Sequence, residues 1–112
     1  DLACVDLYPL EKEVMKSDST LKLVIEKTDV GGPTLLRAAA KGRRLVLCSS
    51  EQFPVVLKYI REQSESRLEA NEHQRFVSGL VWQAEAAVAK YCNISANWHC
   101  EYAQNRNYGF RP

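Results

Sequence analysis

The chain has 112 residues, 46% of them hydrophobic and 26% charged, with 15 Lys+Arg against 14 Asp+Glu for a formal charge of +1. That length predicts a single domain, the composition excludes disorder as the dominant state, and the near-neutral balance excludes a dedicated nucleic-acid binder, which would carry a basic surplus. A transmembrane helix is excluded too: an apolar run such as Phe76–Trp82 is broken by Ser78 and Gly79 and falls far short of the roughly 18 residues a span requires.

In chain order, Leu2–Tyr8 reads as a buried strand, interrupted by Asp6 and ended by Pro9, stopping just before a functional loop. Ser19 or Thr20 caps a helix whose apolar face is Leu21, Val24, Ile25 and Thr28. Asp29–Thr34 breaks that helix. Gly31 and Gly32 admit backbone conformations closed to other residues, and Pro33 suits the first turn of a new helix, Thr34 to Lys41. Gly42 can end it, and Arg44–Cys48 reads as a second buried strand. Ser49 or Ser50 caps the next helix, with Phe53, Val56, Leu57 and Ile60 as its inward stripe and Pro54 tolerated in the first turn. After a polar linker, Gln63–Arg67, a long helical pattern runs from Ala70 to Tyr91. Phe76, Val77, Leu80, Val81, Ala84, Val88 and Tyr91 share one side of it. Asn93–Pro112 is polar and aromatic without a clear period, so residues 1–92 are expected to form the folded unit and 93–112 a tail or linker. The order strand, helix, helix, strand, helix, helix predicts an α/β fold with a parallel sheet covered by helices. Two strands alone make a poor sheet, so the chain is expected to belong to a larger α/β sheet or to be completed by a partner.

The four cysteines, Cys4, Cys48, Cys92 and Cys100, form no C-x-x-C pair, and His73 and His99 lack ligand partners at helical or hairpin spacing, so no metal site is expected. Reduced thiols and the absence of a signal-peptide pattern at the start predict a cytoplasmic protein; the sequon Asn93-Ile94-Ser95 is then a chance match. Trp98, His99, Tyr102 and Tyr108, with Arg106 and Arg111, are the residues that could stack on a base, but a packed tail is the expectation given the neutral charge.

The most informative stretch is Asp29-Val30-Gly31-Gly32-Pro33-Thr34-Leu35-Leu36-Arg37-Ala38-Ala39-Ala40-Lys41. It places a carboxylate and glycine backbone at a helix entrance and a lysine at the far end. An acid before Gly-Gly also serves as a plain turn residue, and a helix-end lysine as a solvated cation. Gly31-Gly32 is not a P-loop, because no Gly-Lys-Ser/Thr follows. Together with Asp6-Leu7-Tyr8-Pro9, however, this stretch resembles the IMP cyclohydrolase domain of the bifunctional purine-biosynthesis enzyme AICAR transformylase/IMP cyclohydrolase. That family has Asn-Leu-Tyr-Pro-Phe at a strand end and Asp-Ile-Gly-Gly-Pro-Thr-Leu-Leu-Arg-Ala-Ala-Ala-Lys-Asn after a short helix. The resemblance covers Asp1 to about Glu69, loosens through Tyr91 and fades in the tail.

The resemblance implies an α/β domain of methylglyoxal-synthase-like type, of which this chain is the C-terminal half. It implies cofactor-free closure of a formylated aminoimidazole carboxamide ribonucleotide to inosine monophosphate. The surrounding enzyme would be bifunctional, would also carry formyltransferase activity, would act on purine nucleotides and would be a homodimer. By the same resemblance Tyr8, Asp29 and Lys41 are the catalytic residues, and Asp6, Leu7, Val30, Gly31 and Gly32 contact the substrate. Asp29 would accept a proton from the attacking amide, Lys41 would keep that carboxylate oriented and ionised, and Tyr8 would hydrogen-bond the reacting groups. The chain departs from the family at Asp6 (Asn), Leu10 (Phe), Gly42 (Asn) and Trp82-Gln83-Ala84 (His-Thr-Ala). The family's phosphate-binding loops and another catalytic lysine lie upstream of Asp1. These departures keep open the alternative of a non-catalytic interaction module derived from such a domain. Tyr108-Gly109-Phe110-Arg111-Pro112 resembles the opening of the family's transformylase domain.

Overall fold

The computed structural model describes residues 1–65, 69–104 and 108–110. Strand β1 (Leu2–Cys4) leads to helices α1 (Leu10–Val14), α2 (Leu21–Lys27) and α3 (Gly31–Lys41); β2 (Leu45–Leu47), a short 3-10 turn at Ser50–Gln52, α4 (Phe53–Glu65) and α5 (Ala70–Ala103) follow. The expected parallel pair is present, with Leu2 opposite Leu45 and Cys4 opposite Leu47. Backbone bonds from Leu45 N–H to Asp1 O and from Val5 N–H to Leu47 O extend the ladder at both ends. The strands are shorter than Leu2–Tyr8 and Arg44–Cys48, because the chain leaves the sheet after Val5. Pro9, with no N–H to give a ladder, stands at the entrance of α1 instead. That five-residue helix is too short to have shown a period.

β2 is covered, with Val46 and Leu47 fully buried, whereas β1 turns Leu2 and Cys4 to solvent. Helices α3 and α5 pack on the strands and on each other. The main core joins Leu36 and Ala40 of α3, Val46 and Leu47, Val56 of α4, and Leu80, Ala84 and Val88 of α5. A second cluster, Leu10, Val24 and Tyr91, is flanked by Val14, Ile94 and Trp98. Leu7 packs against both clusters, and so pins the loop that carries Asp6 and Tyr8.

Helices α5, α4 and α2 differ from the sequence expectation in length or in the face they bury. Helix α5 buries Val77, Leu80, Ala84, Val88 and Tyr91, as its period required. It then continues to Ala103, so the first part of the expected tail is helical. The reason is that Tyr91, Ile94 and Trp98 prolong the same face, where they meet α1 and α2, and Trp98 stacks on Tyr102 with ring centroids 5.3 Å apart. At about 1.5 Å per residue α5 is roughly 50 Å long, which sets the 61 × 26 × 17 Å shape and a radius of gyration of 18.0 Å. A compact chain of this length would have about 13 Å.

Helix α4 is rotated from its expected setting. Val56 and Tyr59 face inward, while Phe53, Leu57 and Ile60 are 49%, 49% and 41% exposed. Tyr59 fixes the rotation: its ring stacks on Phe76 of α5 at 3.8 Å, and its hydroxyl meets His73 Nδ1. In α2, Thr20 is the cap, its Oγ1 accepting from Leu23 N–H at 3.2 Å. Val24 is buried there, but Ile25 points outward. Of the linker Gln63–Arg67, residues 63–65 belong to α4 and 66–67 lie outside the described residues, as do Arg106, Arg111 and Pro112 of the tail.

Candidate functional site

The site is built where the chain leaves β1. Asp29 sits in the turn between α2 and α3, and its carboxylate reaches both ways. Oδ1 accepts from Gly32 N–H at 2.7 Å, and Oδ2 accepts from Tyr8 N–H at 3.3 Å. The first bond is a helix cap. With Val30 already helical (φ −101°, ψ −42°), Asp29 satisfies a donor that the first turn of α3 would otherwise leave open, with its negative charge at the positive end of the helix dipole. For this reason α3 starts at Gly31, ahead of the Thr34 expected from the apolar pattern.

The two glycines differ in role. A Cβ on Gly32 would lie 2.5 Å from Asp29 Oδ2, so the carboxylate packs where only glycine leaves space. Gly31 is exposed, with nothing within 4 Å of where a Cβ would stand. Its backbone is open to an incoming group; Val30 is 72% exposed, while its carbonyl accepts from Thr34 N–H and Oγ1. Asp6 is exposed on the same loop. The Cys48 thiol, at the end of β2, is pushed up chiefly by burial, with the Asp6 charge adding to the shift.

Two further residues belong to this cluster, and neither stood out in the sequence. Lys27 Nζ donates to the Tyr8 hydroxyl at 3.0 Å and lies 5.0 Å from the ring centroid. That hydrogen bond is the main cause of its raised pKa. The buried Tyr91 hydroxyl accepts from Asp29 N–H at 2.6 Å and donates to Lys27 C=O at 3.3 Å. Burial pushes the Tyr91 phenol up. The sequence marks Tyr91 only as a core position on α5; its polar end ties the α2–α3 turn to that helix. A buried tyrosine usually finds a partner for its hydroxyl, and that was the available signal. For Lys27, one of many cations in a charged chain, there was none.

Lys41 is elsewhere. It closes α3, roughly 15 Å of helical rise from Gly31. It lines an open groove of about 620 Å³ between α3 and α5, with Thr34, Arg37, Glu85 and Cys92. Arg37 Nε pairs with Glu85 across it at 3.3 Å. No hydrogen bond or ion pair joins Lys41 to Asp29. The helix ends at Lys41 with Gly42 as its cap, as the sequence suggested, and Arg43 follows in the left-handed region (φ 57°). Arg43 N–H and Arg44 N–H return to Ala40 O and Ala39 O, and the Arg43 guanidinium is fastened to Gln74 and Ser78 of α5. Gln83, in the Trp82-Gln83-Ala84 segment, contacts Gln52 in a smaller pocket beyond β2.

Among the described residues no cluster of three or more His, Cys, Asp or Glu side chains could hold a metal ion. None of the described helices is long and apolar enough to cross a membrane. The arrangement therefore defines an α/β protein with a polar site at the carboxyl end of parallel strands, the edge where open α/β sheets bind ligands. In sequence the chain is 39% identical over 124 aligned positions to the bifunctional purine biosynthesis protein PurH of Caldicellulosiruptor bescii, covering all of this chain and 24% of that protein. It is 37% identical over 100 residues to PurH of Lactobacillus acidophilus, and again to that of Acidithiobacillus ferrooxidans, covering 88% of this chain and 18% of each relative. No protein-family model matches. The chain is homologous to part of PurH, and the resemblance drawn from Asp6–Pro9 and Asp29–Lys41 is thereby shown. It spans about a fifth of the length of these relatives.

Proposed function

We propose that this chain forms the base-recognition part of an IMP cyclohydrolase site in a cytoplasmic, dimeric enzyme of purine biosynthesis. On this reading the fold is of methylglyoxal-synthase-like type, the rest of the domain supplies the phosphate site, and a formyltransferase activity accompanies it. The observation that carries the reading is the meeting of Tyr8 and Asp29 beside the open backbone of Gly31, within a segment homologous to PurH.

The reaction suits such a site because it asks for little beyond geometry and proton transfer, with no cofactor or metal. A bond forms between the carboxamide nitrogen and the formyl carbon. The formyl oxygen leaves as water, with one proton from the carboxamide and one from the formamido nitrogen. Holding the two groups in contact makes the step intramolecular. Asp29, within hydrogen-bond reach of the loop, is placed to take the carboxamide proton. Tyr8, half exposed, is placed to donate to the formyl oxygen as charge develops there. Gly31 N–H and the Val30 backbone border the space a base would fill. Lys41 is assigned to the reaction on the resemblance alone, since it stands at the opposite end of α3 from this cluster.

A non-catalytic interaction module has one observation in its favour: both Asp29 oxygens already accept backbone N–H groups, a structural task complete without a ligand. A carboxylate has about four acceptor sites, however, so two bonds leave capacity for a substrate proton. Ring closure of the formylated nucleotide by the intact gene product tests the choice. Turnover supports the enzyme; none, from a folded protein, supports the module.

A further inference from the structure

Tyr8 is held at both ends by residues only two apart in the chain. Its N–H donates to Asp29 Oδ2, and its phenol oxygen accepts from Lys27 Nζ. Lys27 and Asp29 are in turn both fastened to one hydroxyl, that of buried Tyr91, through the Lys27 carbonyl and the Asp29 N–H. The α2–α3 turn is thus a clamp on Tyr8, anchored to α5.

The polarity of this clamp is fixed by chemistry. An ammonium group has three donors and no acceptor, so the phenol oxygen can only accept from it. The Tyr8 O–H proton must then point away from Lys27, into the open side of the loop. We propose that Lys27 is a positioning residue, which sets the Tyr8 hydroxyl as a hydrogen-bond donor toward an acceptor oxygen of the bound ligand. The positive charge also stands behind that oxygen, where it strengthens the donor by charge assistance. The inference rests on the ring-closure reading for the identity of the acceptor, the formyl oxygen; the Lys27–Tyr8 bond itself is independent of it. Lys27 thereby gives this loop a cation of its own, at the end of α3 opposite Lys41.

The test uses the intact gene product with Lys27→Met, Lys27→Arg, Tyr8→Phe and the Lys27→Met/Tyr8→Phe double variant. Lys27→Met is expected to lower kcat by about tenfold with KM changed by less than about threefold, since the lost contact acts mainly on developing charge. Lys27→Arg, which keeps the charge and the donor, should recover most of kcat. In the Tyr8→Phe background, Lys27→Met should add almost nothing, because the oxygen it acts through is gone. A readout independent of turnover is the ¹³Cζ signal of Tyr8, assigned by its loss in Tyr8→Phe. It should move in Lys27→Met and return in Lys27→Arg. Unchanged kcat in Lys27→Met, an undiminished effect in the Tyr8→Phe background, or an unmoved Cζ signal would each overturn the proposal. If the unsubstituted protein closes no ring, the ring-closure reading fails, and the Cζ signal still decides whether Lys27 sets the hydroxyl.

Discussion

The two ends of α3 carry the two charged residues that the sequence motif joins, and they are built differently. At the amino end, Asp29 is held by Gly32 N–H and Tyr8 N–H, its own N–H is bonded to Tyr91, and Gly32 has no room for a Cβ. At the carboxyl end, Lys41 is exposed on an open groove, and the neighbouring Arg43 holds the chain reversal. The two ends of the motif therefore do not touch each other. A helix of eleven residues separates its ends by more than any side chain spans. The amino end brings Tyr8, Lys27, Asp29 and Tyr91 together.

The contrast can be broken most sharply at the glycines. Gly32→Ala forces a methyl group against the Asp29 carboxylate, and is expected to cost about 1–3 kcal/mol through overpacking and a disturbed cap. Gly31→Ala meets nothing and should be neutral or stabilising by up to about 1 kcal/mol, from helix propensity alone. Denaturant melts of both variants check this; equal losses would mean that the Asp29 packing is not what constrains the turn.

Tyr91→Phe comes next. It leaves the Asp29 N–H and the Lys27 carbonyl without their partner, at an expected cost of about 1–2 kcal/mol. The same variant changes the pH dependence. Tyr59 and Tyr91 are pushed up by burial, Cys48 by burial above all, and Lys27 by its bond to Tyr8. Groups whose folded pKa lies above the unfolded one contribute stability in full at neutral pH and lose it as pH rises through the shifted value. Stability should therefore hold through neutrality and decline once pH passes the ordinary thiol value of 9.0 and then the phenol value of 10.0. Thermal melts from pH 7 to 11 should show that decline, with a shallower slope in Tyr91→Phe. An identical slope would remove Tyr91 from the account.

Lys41→Met should have the smallest effect on the fold, less than about 0.5 kcal/mol, as expected for an exposed position away from packing and caps. A large loss there would show that the carboxyl end of α3 is as tightly built as the amino end.

Much of this layout was legible in the sequence, for physical reasons. The parallel strands and the Val77-to-Tyr91 stripe follow from apolar period, and the junction of Tyr8 with the Asp29 turn follows from the two motifs. What was not legible depends on contacts between elements. Of the expected Phe53-Val56-Leu57-Ile60 stripe only Val56 is buried, and nothing within α4 picks out its pairing with Tyr59 until Tyr59 finds Phe76 on α5. The continuation of α5 past Asn93 needed α1 and α2 as the partner of Ile94 and Trp98. At the site, Lys27 and Tyr91 act through distances that no spacing rule encodes. Lys41, drawn in by the motif, lies at the far end of the helix.

The central claim is that the amino end of α3 is a chemical site as well as a cap, and Asp29→Asn separates the two. An asparagine oxygen can still cap α3 through Gly32 N–H, but the amide nitrogen cannot accept from Tyr8 N–H, so the folded state should lose about 1–2 kcal/mol, while the base is removed. Ring-closure turnover by the intact gene product, measured beside a melting curve, should then fall by about a hundredfold or more, at a temperature where the melt shows the variant still folded. Near-normal turnover in Asp29→Asn, or activity lost only in step with the fold, would contradict the account.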